Sequence, residues 1–547
     1  MSFRPIYTIV FFALFLLLGL AVLDDFGISW DESIQRRHGR VTLDYAAEKL
    51  GVDGYVPLEP SWRLDDYQWA NYGMVYQLTA NLLERWLGYE DSPYHYYRLR
   101  HLLCFGLFWL ASIFFYRCLR WRFPRRGWYP LLGTLLLVLS PRIFANAFYN
   151  PKDHILLVFY LIASVTLLRF LGNRSWGNLL LHAFATGLAL NTRLPALIIP
   201  LTTVLVLGWG ALREPSGRRR NLKQLAAYLP LAVLFMLPFF PYLWEDTLPR
   251  LAAAFTEMSA FEWDSYVLLF GDRLSALDLP AYYIPAWILI TTPIVYLFFL
   301  FAGLYASGRN VLGSLHQFRF WRSREELFDF VQLGLALGPI LVVIVLGSTL
   351  YNGWRHLHFV YPAMVYLMVV GYDWARTRVR GKDEKSGGRW HSALRRAPSI
   401  LLVAGLLVSA MQMVRYHPHQ YVYFNAAIHG EPLNLRFDLD YWGVGFRDAF
   451  MRLAEQVPEG EVRSVKCDAV WPCKDNYHAL PPAAKAKLRL EGAWHRADYL
   501  ATNFIWDNTR YAVRDRKDHF AHPVVEIRPA GDLTVGIYDL RPTRPAE

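Results

Sequence analysis

The sequence lacks the motifs that identify nucleotide-driven and zinc-dependent enzymes. No phosphate-cradling GxxxxGK[ST] loop occurs in the 547 residues, which argues against an ATP-driven pump. The zinc-binding motif HExxH is also absent. We find no internal repeat, heptad run or low-complexity tract, so a solenoid or a coiled coil is not expected.

Cysteine is scarce, with four in the whole chain. Cys104 and Cys118 lie in or beside an apolar run and are expected to be inert. Cys467 and Cys473 stand in the polar C-terminal part, with a spacing that allows a disulfide if this part faces an oxidising space. The sequence leaves that disulfide open. A metal site at these cysteines would need more ligands nearby.

Apolar residues are abundant instead. The chain is 54% hydrophobic, yet its mean hydropathy of +0.17 is modest for a bilayer protein. A mixed chain of apolar spans, long polar loops and a soluble part explains both values. The formal net charge of +11 comes from Arg clusters between apolar runs, where orientation signals lie. We therefore expect no nucleic-acid partner, which is the weaker interpretation of a basic, aromatic-rich chain.

Eleven apolar runs are candidate transmembrane helices, each of which needs about 20 residues. The first is expected to be an uncleaved span, because no small-residue cleavage site follows it. Two short runs, Trp128–Ser140 and Trp176–Leu190, are kept because the alternation of basic loops requires them. The other nine are Tyr7–Leu23, His101–Tyr116, His154–Phe170, Leu194–Leu212, Leu225–Leu243, Tyr282–Tyr305, Val331–Leu350, His358–Trp374 and Ile400–Val414.

Charge placement predicts the topology, because loops rich in Lys and Arg stay in the cytoplasm. The N-terminus is then cytoplasmic, whereas the first loop, 24–100, and the tail after Val414 lie outside. The predicted fold class is a polytopic α-helical membrane protein of about 11 transmembrane helices with a small α/β soluble C-terminal domain. We place the transmembrane module at 1–416 and the extracytoplasmic domain at 417–547.

Two segments of the first loop show apolar residues at three-and-four spacing, which predicts amphipathic helices that lie in the membrane interface. They are Val41–Leu50 and Met74–Leu87. In the tail, Val524–Leu540 alternates apolar and polar residues around Pro529-Ala530-Gly531-Asp532, which predicts a β-hairpin.

The main candidate for chemistry is the carboxylate pair Asp31-Glu32, a few residues beyond the first span. Burying a carboxylate costs about 2.5–3.5 kcal/mol at the centre of a membrane helix and less near the interface. Asp24 and Asp25 end the span directly, and a polar cap explains them. A lone carboxylate pair is a weak signal, so a functional interpretation of Asp31-Glu32 needs further support.

Three cations stand at turns that the topology places outside. Lys152 follows Tyr149-Asn150-Pro151, Arg193 ends Asn191-Thr192-Arg193, and Arg355 lies in Asn352-Gly353-Trp354-Arg355-His356. An ammonium suits phosphate as a compact donor, and a guanidinium can grip it through two parallel hydrogen bonds. The alternatives are a simple turn and interface anchoring.

In combination, these features resemble the GT-C superfamily of membrane glycosyltransferases, specifically the protein O-mannosyltransferase and aminoarabinose transferase type (glycosyltransferase family 39-like). The resemblance covers roughly Met1–Tyr416. It is carried by the N-terminal span, the external first loop that opens with Asp31-Glu32, the interface helices of that loop, and the turns with Pro151-Lys152-Asp153 and Arg355.

The resemblance implies an inverting glycosyltransferase that uses a polyprenyl phosphate sugar as donor. The acceptor, which is a protein, a lipid or a glycan, and the sugar stay unidentified. The reaction would take place at the outer face of the cytoplasmic membrane, and we expect a bacterial multi-pass protein of that membrane. Members that need no metal are known, so we expect no essential cofactor, although dependence on a divalent metal stays open.

The resemblance also assigns roles to residues. Asp31 is the expected general base, and Glu32 would orient it or an acceptor group. The expected donor phosphate site consists of Lys152, Arg355 and Arg193. Accessory candidates are Asp25, which rivals Asp31 as base, His356 and Tyr149.

A membrane transporter or a flippase for lipid-linked sugars, without transferase activity, is the main alternative. It shares many spans and charges at the membrane edge. Such proteins often show inverted repeats and broken helices, which this sequence does not reveal. A long polar external loop also has no obvious task in a transporter.

Overall fold

The computed structural model describes residues 5–213, 215–259, 262–381, 389–428, 430–468, 470–505 and 522–543. These residues form a largely helical protein with a small sheet near the C-terminus. Nineteen α-helices occur in the described ranges. They are α1 (Pro5–Ala21), α2 (Trp30–Lys49), α3 (Val75–Leu87), α4 (Pro93–Arg122), α5 (Tyr129–Val138), α6 (Pro141–Tyr149), α7 (Asp153–Gly172), α8 (Trp176–Thr192), α9 (Ile198–Arg213), α10 (Arg218–Met236), α11 (Thr247–Ser259), α12 (Tyr283–Thr291), α13 (Ile294–Leu315), α14 (Arg324–Val345), α15 (Tyr361–Gly381), α16 (Arg389–Tyr416), α17 (Gly445–Gln456), α18 (Val470–His478) and α19 (Pro482–Ala486).

The predicted multi-pass membrane architecture is confirmed. Within the described residues, eight helices are long and apolar enough to cross a membrane, or up to nine if the bent pair α5 and α6 forms one span. These two helices meet at 67°, because Pro141 starts a new helix immediately after Ser140. The eight segments are Pro5–Asp25, Pro93–Arg122, Asp153–Gly172, Leu194–Arg213, Arg218–Phe239, Ile294–Leu315, Arg324–Val345 and Arg395–Tyr416.

The predicted count of eleven spans is not confirmed, although each of the eleven apolar runs contains helix. The run Trp176–Leu190 forms α8, which has only 17 residues. The run His358–Trp374 forms a short 3₁₀ turn and α15, whose last turns are polar and basic. Length and composition therefore leave these two helices outside the count of clear spans.

The first loop holds the two predicted helices, but the first of them is longer than expected. Helix α3 matches its predicted segment within one residue, whereas α2 begins at Trp30, eleven residues before the predicted start. The sequence from Trp30 to Arg40 is too polar to show an amphipathic pattern. Its helical state places Asp31 in the first turn of α2.

The C-terminal part contains a five-stranded sheet with the strand order β4-β3-β5-β7-β6. Strands β3, β4 and β5 are parallel, and β7 is antiparallel to both β5 and β6. The antiparallel pair of β6 and β7 confirms the predicted hairpin. The first two strands, β1 and β2, form a separate hairpin between α11 and α12. The strands are β1 (Tyr266–Leu269), β2 (Asp272–Ser275), β3 (Arg463–Cys467), β4 (Leu488–Leu490), β5 (Tyr499–Thr502), β6 (Pro523–Ile527) and β7 (Val535–Asp539).

Helix α17 covers one face of this sheet. Phe446, Phe450 and Leu453 of α17 share a buried apolar core with Val535 and Ile537 of β7. Cys467 at the end of β3 forms a disulfide with Cys473 of α18, and their Cα atoms lie 5.9 Å apart. The disulfide that the sequence left open is therefore present.

The C-terminal part packs directly against the chain segment between α1 and α2. The backbone N–H of Trp30 donates to the carbonyl of Trp442 (2.9 Å). The guanidinium of Arg447 donates to the carbonyl of Asp24 (2.8 Å). The segment that leads from the first span to Asp31 is thus held from two sides.

Candidate active site

The start of α2 is fixed by hydrogen bonds to its own first turn and to the end of α6. The Glu32 carboxylate accepts from the backbone N–H of Ser29 (2.8 Å), which satisfies a donor that a helix start leaves open. The Ser29 hydroxyl donates to the carbonyl of Tyr149 (2.7 Å). Asp31, between these two residues, is therefore held near the turn that carries Lys152.

Asp31 forms an ion pair with Arg355, 324 positions later in the chain. The Arg355 guanidinium donates to Asp31 through Nη1 (2.9 Å). The same guanidinium lies over the rings of Trp442 (4.4 Å to the centroid) and Tyr351 (4.8 Å). The two aromatic rings and the Asp31 carboxylate thus orient Arg355 together.

Asp153 links the two candidate arginines. Its carboxylate pairs with Arg193 through one oxygen, and the other oxygen lies 3.7 Å from Nη1 of Arg355. Asp153 is buried, so its charge is balanced mainly by these two cations. One carboxylate therefore sets the spacing of two guanidinium groups.

Lys152 stands beside this group with a different partner. Its ammonium lies 4.5 Å from the ring centroid of Tyr72, a residue of the first loop. Among the described residues, no carboxylate lies within ion-pairing distance of Lys152, and none accepts a hydrogen bond from Nε of Arg355. Both groups retain donor capacity for an anionic ligand.

The charges around Asp31 keep its carboxylate ionised. Burial by itself would raise the pKa of Asp31, but the positive charges of Arg355, Lys152 and Arg193 outweigh this effect and place the pKa below its usual value. The pKa of His356 lies well below its usual value, because burial and the same three cations disfavour its protonation. His356 is therefore neutral, whereas Asp31 is ionised.

The remaining predicted residues lie around this cluster in other roles. Glu32 uses its second carboxylate oxygen for Nε2 of His101 (3.0 Å), so both of its oxygens hold structure. Tyr149 is buried between the rings of Trp442 and Tyr421, each about 6.0 Å away. Glu32 and the Tyr149 carbonyl thus both bind Ser29 and fix the start of the helix that carries Asp31.

Asp25, the predicted rival base, is not brought into the cluster. Its carboxylate contacts Nε2 of His417 (2.7 Å), at the start of the C-terminal part. Asp24 likewise pairs with Arg98 (2.8 Å). Both residues end the first span, and their partners draw them away from Arg355.

Several residues at the site were missed from the sequence. Asp153 was visible only as part of the turn with Lys152, and nothing local indicated that it joins two arginines. Trp442 comes from the C-terminal part, which lies outside the region that the family resemblance covers. His38 follows Asp31 by seven positions on α2, a spacing that places both on one helix face. Burial, and next the charge of Lys152, lower the pKa of His38 to about 3.

Within the part of the chain that the structure describes, no group of three or more His, Cys, Asp or Glu residues could hold a metal ion. Asp438 and Asp440, which match a DxD pattern, have other partners. Asp438 accepts from Asn352 (2.6 Å) and Asp440 accepts from Tyr421 (2.6 Å).

A model of a known protein family matches part of the predicted transmembrane module. Residues 101–244 match the family described as dolichyl-phosphate-mannose-protein mannosyltransferase. The matched region contains Lys152, Asp153 and Arg193. The predicted resemblance to GT-C glycosyltransferases is thereby confirmed for this part of the chain. No curated protein sequence matches.

Two solved structures resemble the whole chain at low identity. The crystal structure of ArnT from Cupriavidus metallidurans in the apo state is 13% identical, covers 99% of each chain and gives a TM-score of 0.47. The archaeal oligosaccharyltransferase AglB from Archaeoglobus fulgidus, in complex with an inhibitory peptide and a dolichol-phosphate, is 11% identical. That comparison covers 99% of this chain and 75% of AglB, with a TM-score of 0.48.

Proposed function

We propose that the chain is an inverting glycosyltransferase that moves a sugar from a polyprenyl phosphate sugar to an acceptor hydroxyl at the outer face of the cytoplasmic membrane. One observation carries the proposal. A carboxylate from the first loop, Asp31, meets cations from three later turns, Lys152, Arg193 and Arg355, in one group. These residues are distant in sequence, and a turn or an interface anchor would not require them to meet.

Asp31 would act as the general base. It takes the proton from the acceptor hydroxyl while that oxygen forms a bond to the anomeric carbon of the sugar. The bond between this carbon and the phosphate oxygen breaks, and its electron pair leaves with the polyprenyl phosphate. General base catalysis contributes about 10²–10⁴-fold, so loss of Asp31 removes most of the rate.

The cations would bind the leaving phosphate. Negative charge grows on the phosphate as the glycosidic bond breaks, so fixed cations stabilise the transition state more than the ground state. Lys152 and the Nε group of Arg355 have donors that no described carboxylate uses. A phosphate between them would satisfy both.

Donor binding would also activate the base. Without donor, the Asp31 carboxylate is held by Arg355 and its pKa is low, which makes it a weak base. A phosphate shares the positive charge of Arg355 and weakens that ion pair. The pKa of Asp31 then rises, so its basicity increases only when the sugar donor is in place.

The direct test is transfer by purified full-length protein, with Asp31→Asn as the variant. We expect wild-type protein to consume one of a panel of radiolabelled polyprenyl phosphate sugars, and the variant to lose about 10²-fold or more of that rate. Asp25→Asn is the matched control, because it removes an equal charge from the same loop and should retain activity.

Two outcomes would contradict the proposal. Normal transfer by Asp31→Asn would remove Asp31 from the mechanism. Movement of the intact donor across a vesicle membrane, without any release of polyprenyl phosphate, would instead favour the flippase alternative.

A further inference from the structure

A large cavity opens at the end of the helical bundle opposite the candidate active site. Its volume is about 1550 Å³, and it lies between α1, the second half of α4, and the ends of α7 and α14. On α4, His101 contacts Glu32 of the candidate site, whereas Arg117 lines the cavity. Arg117 follows His101 by sixteen positions on this helix, a distance of about 24 Å.

The inner walls of the cavity are apolar and lie at membrane depth. Phe12 and Leu16 of α1, together with Trp109 and Ile113 of α4, line this part of the cavity. The two helices are fixed to each other, because the indole N–H of Trp109 donates to the carbonyl of Phe12 (2.9 Å). The cavity is therefore bounded by two spans that are held together, at a depth where the surrounding solvent is lipid.

The mouth of the cavity is cationic. Arg117 and Arg120 follow Ile113 by one and two turns of α4, and Arg169 lies near the end of α7. All three are exposed, and none forms an ion pair with a carboxylate in the part of the chain that the structure describes. This contrasts with the candidate active site, where both arginines are paired with Asp153 or Asp31.

A fourth arginine is held at the mouth by close packing. Arg324, at the start of α14, lies against the backbone of Gly172, the last residue of α7. A Cβ at position 172 would stand 2.5 Å from a guanidinium nitrogen of Arg324. Glycine at this position therefore leaves room for the guanidinium beside α7.

From this arrangement we propose a binding site for an anionic phospholipid in the membrane leaflet opposite the candidate active site. The headgroup phosphate lies among Arg117, Arg120 and Arg169, and the acyl chains run along the apolar wall. The volume exceeds the roughly 300–1,000 Å³ of ordinary small-molecule pockets, which suits a ligand with two chains. Basic pockets between transmembrane helices are suited to anionic lipid headgroups.

Native mass spectrometry of the full-length protein tests the site, with added phosphatidylglycerol or phosphatidylcholine as the probes. Wild-type protein should bind phosphatidylglycerol about tenfold or more tightly than phosphatidylcholine. The triple variant Arg117→Gln, Arg120→Gln, Arg169→Gln should lose that preference. The matched control is Arg218→Gln, Arg219→Gln, Arg220→Gln, which removes the same charge from exposed arginines outside the cavity and should retain it.

A second variant tests the apolar part separately. Ala13→Trp on α1 fills the cavity without a change in charge and should reduce phosphatidylglycerol binding in protein that elutes as a single monodisperse species. The proposal is overturned if the triple variant keeps the lipid preference, if the control variant loses it equally, or if wild-type protein shows none. It is also overturned if polyprenyl phosphate binds more tightly than phosphatidylglycerol at the same arginines. Lipid binding is measured without donor sugar, so the result is independent of the proposed transfer reaction.

Discussion

Asn476 of α18 holds both backbone groups of Ile28, three residues before Asp31. Its side-chain oxygen accepts from the Ile28 N–H (2.8 Å), and its amide nitrogen donates to the Ile28 carbonyl (2.9 Å). The same nitrogen lies within hydrogen-bonding distance of the carbonyls of Gly443 and Pro472. Asn476 is fully buried, so the C-terminal part fixes the position of the backbone that leads into α2.

Asn476→Ala should therefore reduce transfer by displacing Asp31 while donor binding is retained. The variant leaves the buried N–H and carbonyl of Ile28 without partners, which costs about 1–3 kcal/mol for each group. We expect kcat to fall about tenfold or more, with little change in the KM for donor, in steady-state assays of purified protein.

The control for this prediction is Lys474→Ala, on the exposed side of the same helix, which should leave both constants unchanged. An increase in the donor KM with normal kcat would show that Asn476 acts on donor binding instead of on the position of Asp31.

Arg355→Gln should change the pH profile as well as the rate. Burial raises the pKa of Asp31, and the charge of Arg355 is the largest of the influences that lower it. Without that charge, the pKa of Asp31 rises, so a higher pH is needed to ionise the base. The acid limb of kcat/KM should therefore move to higher pH, and the donor KM should increase because a phosphate contact is lost.

The measurement is kcat/KM against pH for wild-type and variant protein. Arg98→Gln, which removes a cation that pairs with Asp24 at the same loop, should leave the acid limb in place. An unchanged limb in Arg355→Gln would mean that Asp31 is not the group that titrates.

Asp153→Asn tests the carboxylate that spaces the two arginines. The substitution leaves Arg193 and Arg355 facing each other without the charge between them, and both are largely buried. Removal of one partner from a buried ion pair costs about 3–5 kcal/mol. Thermal unfolding of purified protein should occur at a clearly lower temperature, whereas Asp278→Asn, an exposed acid, should behave like wild type. Equal unfolding temperatures for all three proteins would contradict a structural role for Asp153.

The membrane architecture was predictable because long apolar runs carry a strong local signal. Even there, the number of spans could not be predicted with the same certainty. Helix α8 has only 17 residues and the last turns of α15 are polar and basic, so neither is a clear span by length and composition. The start of α2 was missed because Trp30–Arg40 is polar on all sides. It is held by the ion pair of Arg36 with Glu84 and by the hydrogen bond from the Trp30 N–H to the C-terminal part.

The candidate site was predictable only where a residue type stood out locally. Lys152, Arg193 and Arg355 are cations at turns between apolar runs and could be named from their position, whereas Asp31 was named mainly from the family resemblance. The distances between these four residues could not be predicted, because they are set by the packing of separate helices. The contribution of Trp442 and Asn476 depends on contacts across more than 400 positions, for which one sequence contains no signal.

Asp440→Asn gives a prediction for stability against pH in the C-terminal part. Burial raises the pKa of Asp440 to about 7, although the Tyr421 hydroxyl and backbone N–H groups, including that of Gly445, partly oppose this. The folded state therefore binds a proton that the unfolded state, with a pKa near 3.8, releases. The stability that this proton contributes is complete below pH 3.8, falls as the pH rises towards 7, and is absent above it.

Between these limits, the free energy of unfolding of Asp440→Asn should increase relative to wild type by at most about 1.4 kcal/mol per pH unit. Unfolding of both proteins at pH 4.5, 6.0 and 7.5 measures this difference, with Asp278→Asn as a control that should stay parallel to wild type. A constant difference between Asp440→Asn and wild type across the three pH values would show that Asp440 is ionised throughout.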